Sequence, residues 1–286
     1  MKNSFTKYAW LLSALVVTLA CSFSVNVPVK PTEPPIITTL APATLLPAPS
    51  ETSATAISGM DIAYLGMSFT IPSGLANGTQ NDVVPPANDY SVWPAHTRFI
   101  LQGYPLQGTV FDPQILIFPV KEFTQMSEDA GGVINALQSI LTAQKFAPTQ
   151  PIPFLPNQHA QQVLHVQEKF LSFKNGSGIR FVTQYDQAPL PINNASLFYT
   201  FQGLTSDGNY YISVILPVNL PYLSVDDKLT SIAPPDGVQF NWENPELFPA
   251  YLQTMTERLN QTNNRFTPTL ATLDGLVQSI VAVGQK

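Results

Sequence analysis

The chain has 286 residues, 44% hydrophobic and only 11% charged, with 27 prolines, one cysteine and a formal net charge of −6. From residue 60 onward, ten Lys and Arg stand against seventeen Asp and Glu. That balance excludes the positive footprint that nucleic-acid phosphates demand, and it excludes electrostatic attachment to anionic lipids. A lone cysteine forms no internal disulfide, so stability must come from a hydrophobic core.

Residues 1–20 begin with Lys2 and Lys7, run apolar from Tyr8 to Leu19 and end at Ala20, directly before Cys21. The apolar run is too short to span a hydrocarbon core of about 30 Å, which takes ~20 residues, but it is long enough for an export signal. With the only cysteine at its end, Thr18-Leu19-Ala20-Cys21 resembles the lipobox of bacterial lipoproteins. In that family the cysteine becomes the lipidated first residue. The pattern departs from the family at Thr18, where lipoproteins usually carry Leu, and Thr18-Leu19-Ala20 also passes as an ordinary small-x-small cleavage site. The resemblance covers only these residues. It implies a lipid anchor at Cys21 and a place on the extracytoplasmic side of the cell membrane or outer membrane.

Residues 21–59 form the expected tether. Pro28, Pro31, Pro34, Pro35, Pro42, Pro47 and Pro49 fall among Thr, Ser and Ala, and proline removes backbone donors and fixes φ. Such a segment reaches on the order of 100 Å when extended at about 3.1 Å per residue.

Residues 60–286 have the composition of one globular domain. A first strand is expected over 62–71 (IAYLGMSFTI), then a polar loop over 77–88, then strands over 98–104 and 114–120. Apolar positions recur at three and four from Phe123 to Leu141, which predicts a helix over 123–144 with a weak point at Gly131-Gly132. The Pro-rich stretch 148–157 is too rigid for either regular element. Two hairpins follow, 163–173 with 179–185 around Asn175-Gly176, and 197–204 with 210–218 around Asp207-Gly208. Both contain the residues that tight turns favour. In the last strand Tyr210, Ile212, Val214 and Leu216 are all apolar, so that face is expected on the core. Helices are expected over 245–259, with Asn244 as cap before Pro245, and over 267–283. The expected fold class is α+β: an antiparallel β-sheet built from hairpins, with about three amphipathic helices packed on one side.

Chemistry-bearing motifs are sparse. The sequence contains no G-x-S-x-G elbow, P-loop, G-x-G-x-x-G, H-E-x-x-H or calcium loop, and it names no catalytic residue, metal ligand set or cofactor. His159, His165 and Glu168 lie close together, but on a regular strand 159 and 165 share a face while 168 points to the other. Glu168, Asp186, Asp207, Asp226, Asp227 and Glu243 are the carboxylates from which a glycosidase pair would be drawn.

Aromatic side chains give the binding candidates. Tyr199 and Tyr211 sit on one hairpin, and Trp93 and Trp242 lie in loop-like stretches beside Pro94 and Pro245. Exposed aromatics beside neutral amides suit a glycan or an envelope protein; the bland alternative is cross-strand packing. The leading expectation is therefore a lipid-anchored, non-catalytic binding module. A hydrolase acting on envelope polymers, or a structural component of an envelope complex, is the alternative.

Overall fold

Positive φ at Leu65 (50°) and Gly66 (78°) folds the run expected as one strand into a hairpin of β1 (Gly59–Tyr64) and β2 (Met67–Pro72). Two central residues with φ > 0 match the right-handed twist of the flanking strands. Gly66 is needed for a second reason: a Cβ there would lie 2.4 Å from the Val283 carbonyl oxygen. The computed structural model describes residues 58–284 except Asn263. The expected export signal, Cys21 and the Pro-rich segment lie outside the described residues.

The expected loop over 77–88 contains β3 (Gly78–Val84), which pairs along its whole length with β6 (His96–Gln102). Its polar sequence misled because it is an edge strand, half-exposed throughout. The short β4 (Ala87–Asn88) and β5 (Val92–Trp93) pair with each other, and β7 (Gln114–Pro119) follows β6 into the sheet. The expected helix over 123–144 is two helices, α1 (Val120–Met126) and α2 (Glu128–Ala143). The break falls at Ser127 rather than at the glycines. Ser127 is extended (φ −143°, ψ 115°), and its hydroxyl accepts from the Ala130 N–H at 3.1 Å, with Glu128 and Asp129 in the first turn. A capping serine and two acids start a new helix more strongly than Gly131-Gly132 weakens an old one.

Both expected hairpins are present: β8 (Gln161–Phe173) with β9 (Gly176–Asp186), and β10 (Phe198–Thr205) with β11 (Tyr210–Pro217). Gly208 (φ 70°) turns the second as expected. The first turns without positive φ, because Asn175 is held from outside: its amide donates to Ala282 O at 2.7 Å and its Oδ1 accepts from Ala282 N at 3.1 Å. A one-turn 3-10 helix (Pro245–Leu247) leads into α3 (Phe248–Gln261), and the Asn244 side chain makes no cap bond. The last expected helix is shorter, α4 (Leu270–Ser279), and is followed by β12 (Val281–Ala282) against β2.

The main sheet has seven antiparallel strands in the order β3-β6-β7-β11-β10-β9-β8. Its alternating residues feed two cores rather than one. Leu116, Phe118, Ile179, Phe181, Phe198 and Tyr211 face Phe123 of α1 and Ala130, Ile134, Leu137 and Leu141 of α2. Ile115, Ile117, Val182, Tyr199, Phe201, Ile212 and Val214 face α3, α4 and Met67, Phe69 and Ile71 of β2. Helices therefore lie on both faces, not one, and the architecture is a three-layer α+β sandwich. The face carrying Tyr211 and Ser213 is also buried, because Gln202 satisfies its polar atoms. Gln202 donates to Thr200 and Ser213, and accepts from the Tyr211 hydroxyl (2.6 Å) and from Leu155 N in the Pro-rich crossing (3.1 Å).

Across the other face, Asp274 of α4 is buried against the sheet. It accepts Arg180 Nε at 3.0 Å and Nη2 at 3.2 Å, the Tyr199 hydroxyl at 3.1 Å and Lys169 Nζ at 3.3 Å. Arg180 Nη1 donates to the Gln167 carbonyl, at a bulge where β8 slips register between Val166 and Lys169 and Gln167 takes φ 58°.

Ser127 gives a direct check of the split helix. Ser127→Ala is expected to lower stability by about 1 kcal/mol in chemical denaturation, as loss of a side-chain N-cap does. A continuous helix through residue 127 would be stabilised by the same substitution.

Candidate functional site

Between β11 and α3 lies a segment, irregular but for the one-turn 3-10 helix at its end, that is unusually apolar at its surface. Of the eleven exposed large apolar side chains among the described residues, five lie here: Val225, Leu229, Ile232, Trp242 and Leu247. Scattered single residues would need no explanation, but clustering on one segment does. Three of the five, Leu229, Ile232 and Trp242, rim a cavity of about 240 Å³. Ile192, Leu223 and Tyr251 form its buried floor, Val238 and Phe240 its wall, and Leu229, Ile232 and Trp242 its mouth.

The aromatic wall is built from the chain upward. Tyr251 lies one turn into α3, on the helix face that buries Met255 and Leu259. Its hydroxyl accepts the Ile192 N–H at 2.9 Å, which ties the loop before β10 to the helix. Phe240 packs edge-on to Tyr251 (5.2 Å between ring centroids) and to Trp242 (4.8 Å), with Phe248 6.2 Å away. These offset geometries are the favoured ones for aromatic pairs. Ser224 is pinned by its backbone, bridged to Asn193 and accepting from Asn194 N at 2.9 Å. Its hydroxyl oxygen is buried and has no hydrogen-bond partner among the described residues.

Asp186 stands beside this region, at the end of β9. Burial pushes its carboxyl up to about 6, the nearby Asp227 adds to the rise, and the Gln184 amide partly offsets it. Gln184 donates at once to Asp186 (2.8 Å) and to the Pro191 carbonyl (3.1 Å), and its Oε1 accepts from Asn193 N (3.0 Å). A hydrogen-bonded path thus runs from Asp186 to the loop that floors the cavity.

Of the four aromatics named from sequence, Tyr199 and Tyr211 have no exposed surface. Neither meets a ligand from solvent. Tyr199 donates to Asp274 and Tyr211 to Gln202, and burial pushes both phenols well above their ordinary pKa. Cross-strand packing, the bland alternative, describes both. Trp93 is half-buried on the α1–α2 face, its Nε1 donating to Pro85 O at 3.3 Å and its ring edge-on to His96. Trp242 belongs to the cluster on the opposite face, so the two tryptophans do not form one platform.

The three histidines lie in three settings. His96 is buried, stacks on Phe118 at 4.2 Å and donates from Nδ1 to Pro94 O; burial lowers its pKa. His159 stacks on Tyr90. His165 and Glu168, expected on opposite faces, meet: Nδ1 donates to Glu168 Oε1 at 2.5 Å. The bulge at Gln167 inserts one residue, which inverts the alternation and brings 165 and 168 together. Burial raises the Glu168 carboxyl, but the bond from His165 and the positive field of Arg180 outweigh it and hold the group below its usual range. A histidine oriented by a carboxylate through Nδ1 keeps Nε2 for a substrate proton. His165 lines another, more open cavity of about 210 Å³ with Pro148, Pro151 and Thr256. Among the described residues no three His, Cys, Asp or Glu come together as metal ligands, and no helix is long and apolar enough to cross a membrane.

No protein-family model, curated protein or solved structure matches the chain. The cavity itself was not readable from sequence, because Ile192, Leu223–Trp242 and Tyr251 come from three separate stretches. The one available signal was the apolar content of 222–247 in a region with turn-like composition and no periodicity.

A raised pKa on a carboxyl means that the folded state holds the proton more tightly than the unfolded chain, whose value is about 3.9. Asp186 therefore costs the fold stability as pH climbs from about 4 to about 6, and the full cost stands above that. Asp186→Asn is expected to match the wild type near pH 4 and to melt a few degrees higher at pH 8. A melting-temperature difference that stays constant across this range would show that Asp186 titrates normally.

Proposed function

We propose that this chain is a bacterial lipoprotein, lipidated at Cys21 and held by residues 21–59 on the extracytoplasmic side of the cell membrane or outer membrane, whose domain is a non-catalytic binding module. The anchor rests on the export signal ending at the only cysteine. Two or more acyl chains make such attachment durable, where one is marginal. The binding role rests on one observation, the aromatic cavity of residues 191–251 with apolar side chains left exposed around its mouth. A concave, mostly apolar site with few polar groups is the usual form of a ligand pocket. The sequence suggested a glycan or an envelope protein as partner, and of its four candidate aromatics Trp242 is the one that stands at this cavity. Tyr199 and Tyr211 take no part.

The His165–Glu168 pair favours a second reading, a hydrolase acting on envelope polymers. The pair supplies an oriented base, and the cavity beside it gives a substrate somewhere to lie. No nucleophile is assigned to it, and for that reason binding is the preferred reading.

Two measurements on the full chain test these proposals. Expressed in a bacterial host, the wild-type protein is expected to gain acyl mass and partition into detergent, while Cys21→Ser stays aqueous. If both remain soluble and neither carries acyl mass, the anchor is wrong. Incubated with isolated envelope polymer, the protein is expected to release no product. Release that disappears in both His165→Ala and Glu168→Gln would replace the binding reading with the hydrolase.

A further inference from the structure

Resting on the reading of residues 191–251 as a binding site, we infer that the cavity takes a small, neutral aromatic molecule with a single hydrogen-bonding group, seated against Ser224, rather than a sugar. The size comes from the volume. A dry cavity of about 150 Å³ accommodates benzene, so 240 Å³ has room for roughly ten non-hydrogen atoms.

The chemistry comes from what lines the space and what those groups already do. No Asp, Glu, Lys, Arg or His is among the lining residues, so an ion entering would lose its hydration without a partner. Ten of the thirteen lining residues are apolar or aromatic. Most of the polar groups are engaged inside the protein, although the Trp242 indole N–H and the Tyr251 O–H donate to no group among the described residues. The Ser231 hydroxyl donates to Asp226, the Gln239 amide donates to the Ala233 and Pro234 carbonyls at 3.1 Å each, and the Tyr251 hydroxyl accepts from Ile192. Ser224 is the buried case: only 3% exposed, its hydroxyl oxygen is satisfied by no group among the described residues and has almost no accessible surface, so it meets a ligand only by turning about its Cα–Cβ bond.

A buried hydroxyl without a partner is costly, and rotation about one bond lets a serine follow a ligand's polar atom. A sugar brings many hydroxyls to a lining whose free polar groups are few, the Ser224 hydroxyl, the Trp242 and Tyr251 donors and the Gln239 oxygen, and most of them would be left desolvated and unpaired. A phenol brings one. The rings of Phe240, Trp242 and Tyr251 meet its ring, and Leu229 and Ile232, otherwise exposed at the mouth, gain burial when it enters.

The test is calorimetric titration of the full chain, made soluble by Cys21→Ser, with three probes: 4-ethylphenol, ethylbenzene (the same shape without the hydroxyl) and N-acetylglucosamine. The expected result is one saturable site for 4-ethylphenol, weakened about tenfold by Ser224→Ala, which is about 1.4 kcal/mol. Ethylbenzene affinity should be unchanged by that substitution, the sugar should not bind, and Ala233→Phe, which fills the cavity, should abolish binding of both aromatic probes. Binding of the sugar but not the phenol would overturn the ligand class while leaving the binding module standing. Phenol binding that survives both Ser224→Ala and Ala233→Phe would place it elsewhere and overturn the inference. If no probe binds, this inference fails, and failure of a wider glycan panel as well would remove the binding reading with it.

Discussion

A buried guanidinium and a buried carboxylate hold the layers of this domain together. Arg180 projects from β9 into the core and meets Asp274 of α4 through two hydrogen bonds, while its third nitrogen reaches the Gln167 carbonyl. Gln167 in turn donates through its side chain to Leu259 O (2.8 Å) and Asn260 O (2.9 Å), and its N–H finds Asn260 Oδ1 (2.9 Å), so it caps the end of α3. One arginine thus fixes the sheet, the bulge in β8, α4 and, through the bulge, α3. Replacing such a pair by apolar residues can be neutral, but leaving one partner alone in the core is not, at about 3–5 kcal/mol. The pair acts as a specifier of geometry more than as a source of net stability.

Both candidate sites inherit their geometry from this arrangement. The bulge that presents its carbonyl to Arg180 also brings His165 and Glu168 to the same side of β8. Helix α3, whose far end the bulge caps, carries Tyr251 at the floor of the aromatic cavity. The rest of the cavity comes from loops tied to rigid neighbours. Asn194 donates to Leu220 O and accepts from Leu220 N, and Asn193 Oδ1 accepts from Ala195 N and Ser196 N. A site built from loops on a fixed scaffold is a common division of labour in proteins.

The fold was legible where local chemistry was decisive. Alternation and Asp207-Gly208 placed the β10–β11 hairpin, and the helical stripe of Ala130, Ile134, Leu137 and Leu141 is buried as its spacing required. The second helical layer was hidden because polar residues on one face of the sheet, Gln202 and Ser213, are paired with each other instead of with water. Strand β3 was hidden by its edge position, and the β1–β2 turn because Leu, not Asn or Asp, takes the first left-handed position. The sites were less legible still. Strand periodicity alone puts His165 and Glu168 on opposite faces, and only a bulge at a glutamine, which carries no glycine signature, reverses that. Aromatic content suggested Tyr199 and Tyr211 beside Trp93 and Trp242, the two least explained by packing; the burial that removes both tyrosines from solvent depends on the distant α4 and on the Pro-rich crossing.

Arg180 and Asp274 act as one unit, and the bulge, the helix positions and both sites depend on it. A double-mutant cycle by chemical denaturation tests it most directly, using Arg180→Met, Asp274→Leu and the pair together. Each single substitution is predicted to cost about 3–5 kcal/mol, and the double variant well under their sum. Additive losses, or singles within about 0.5 kcal/mol of the wild type, would contradict the account and leave the bulge, the helix positions and both sites without a common physical cause.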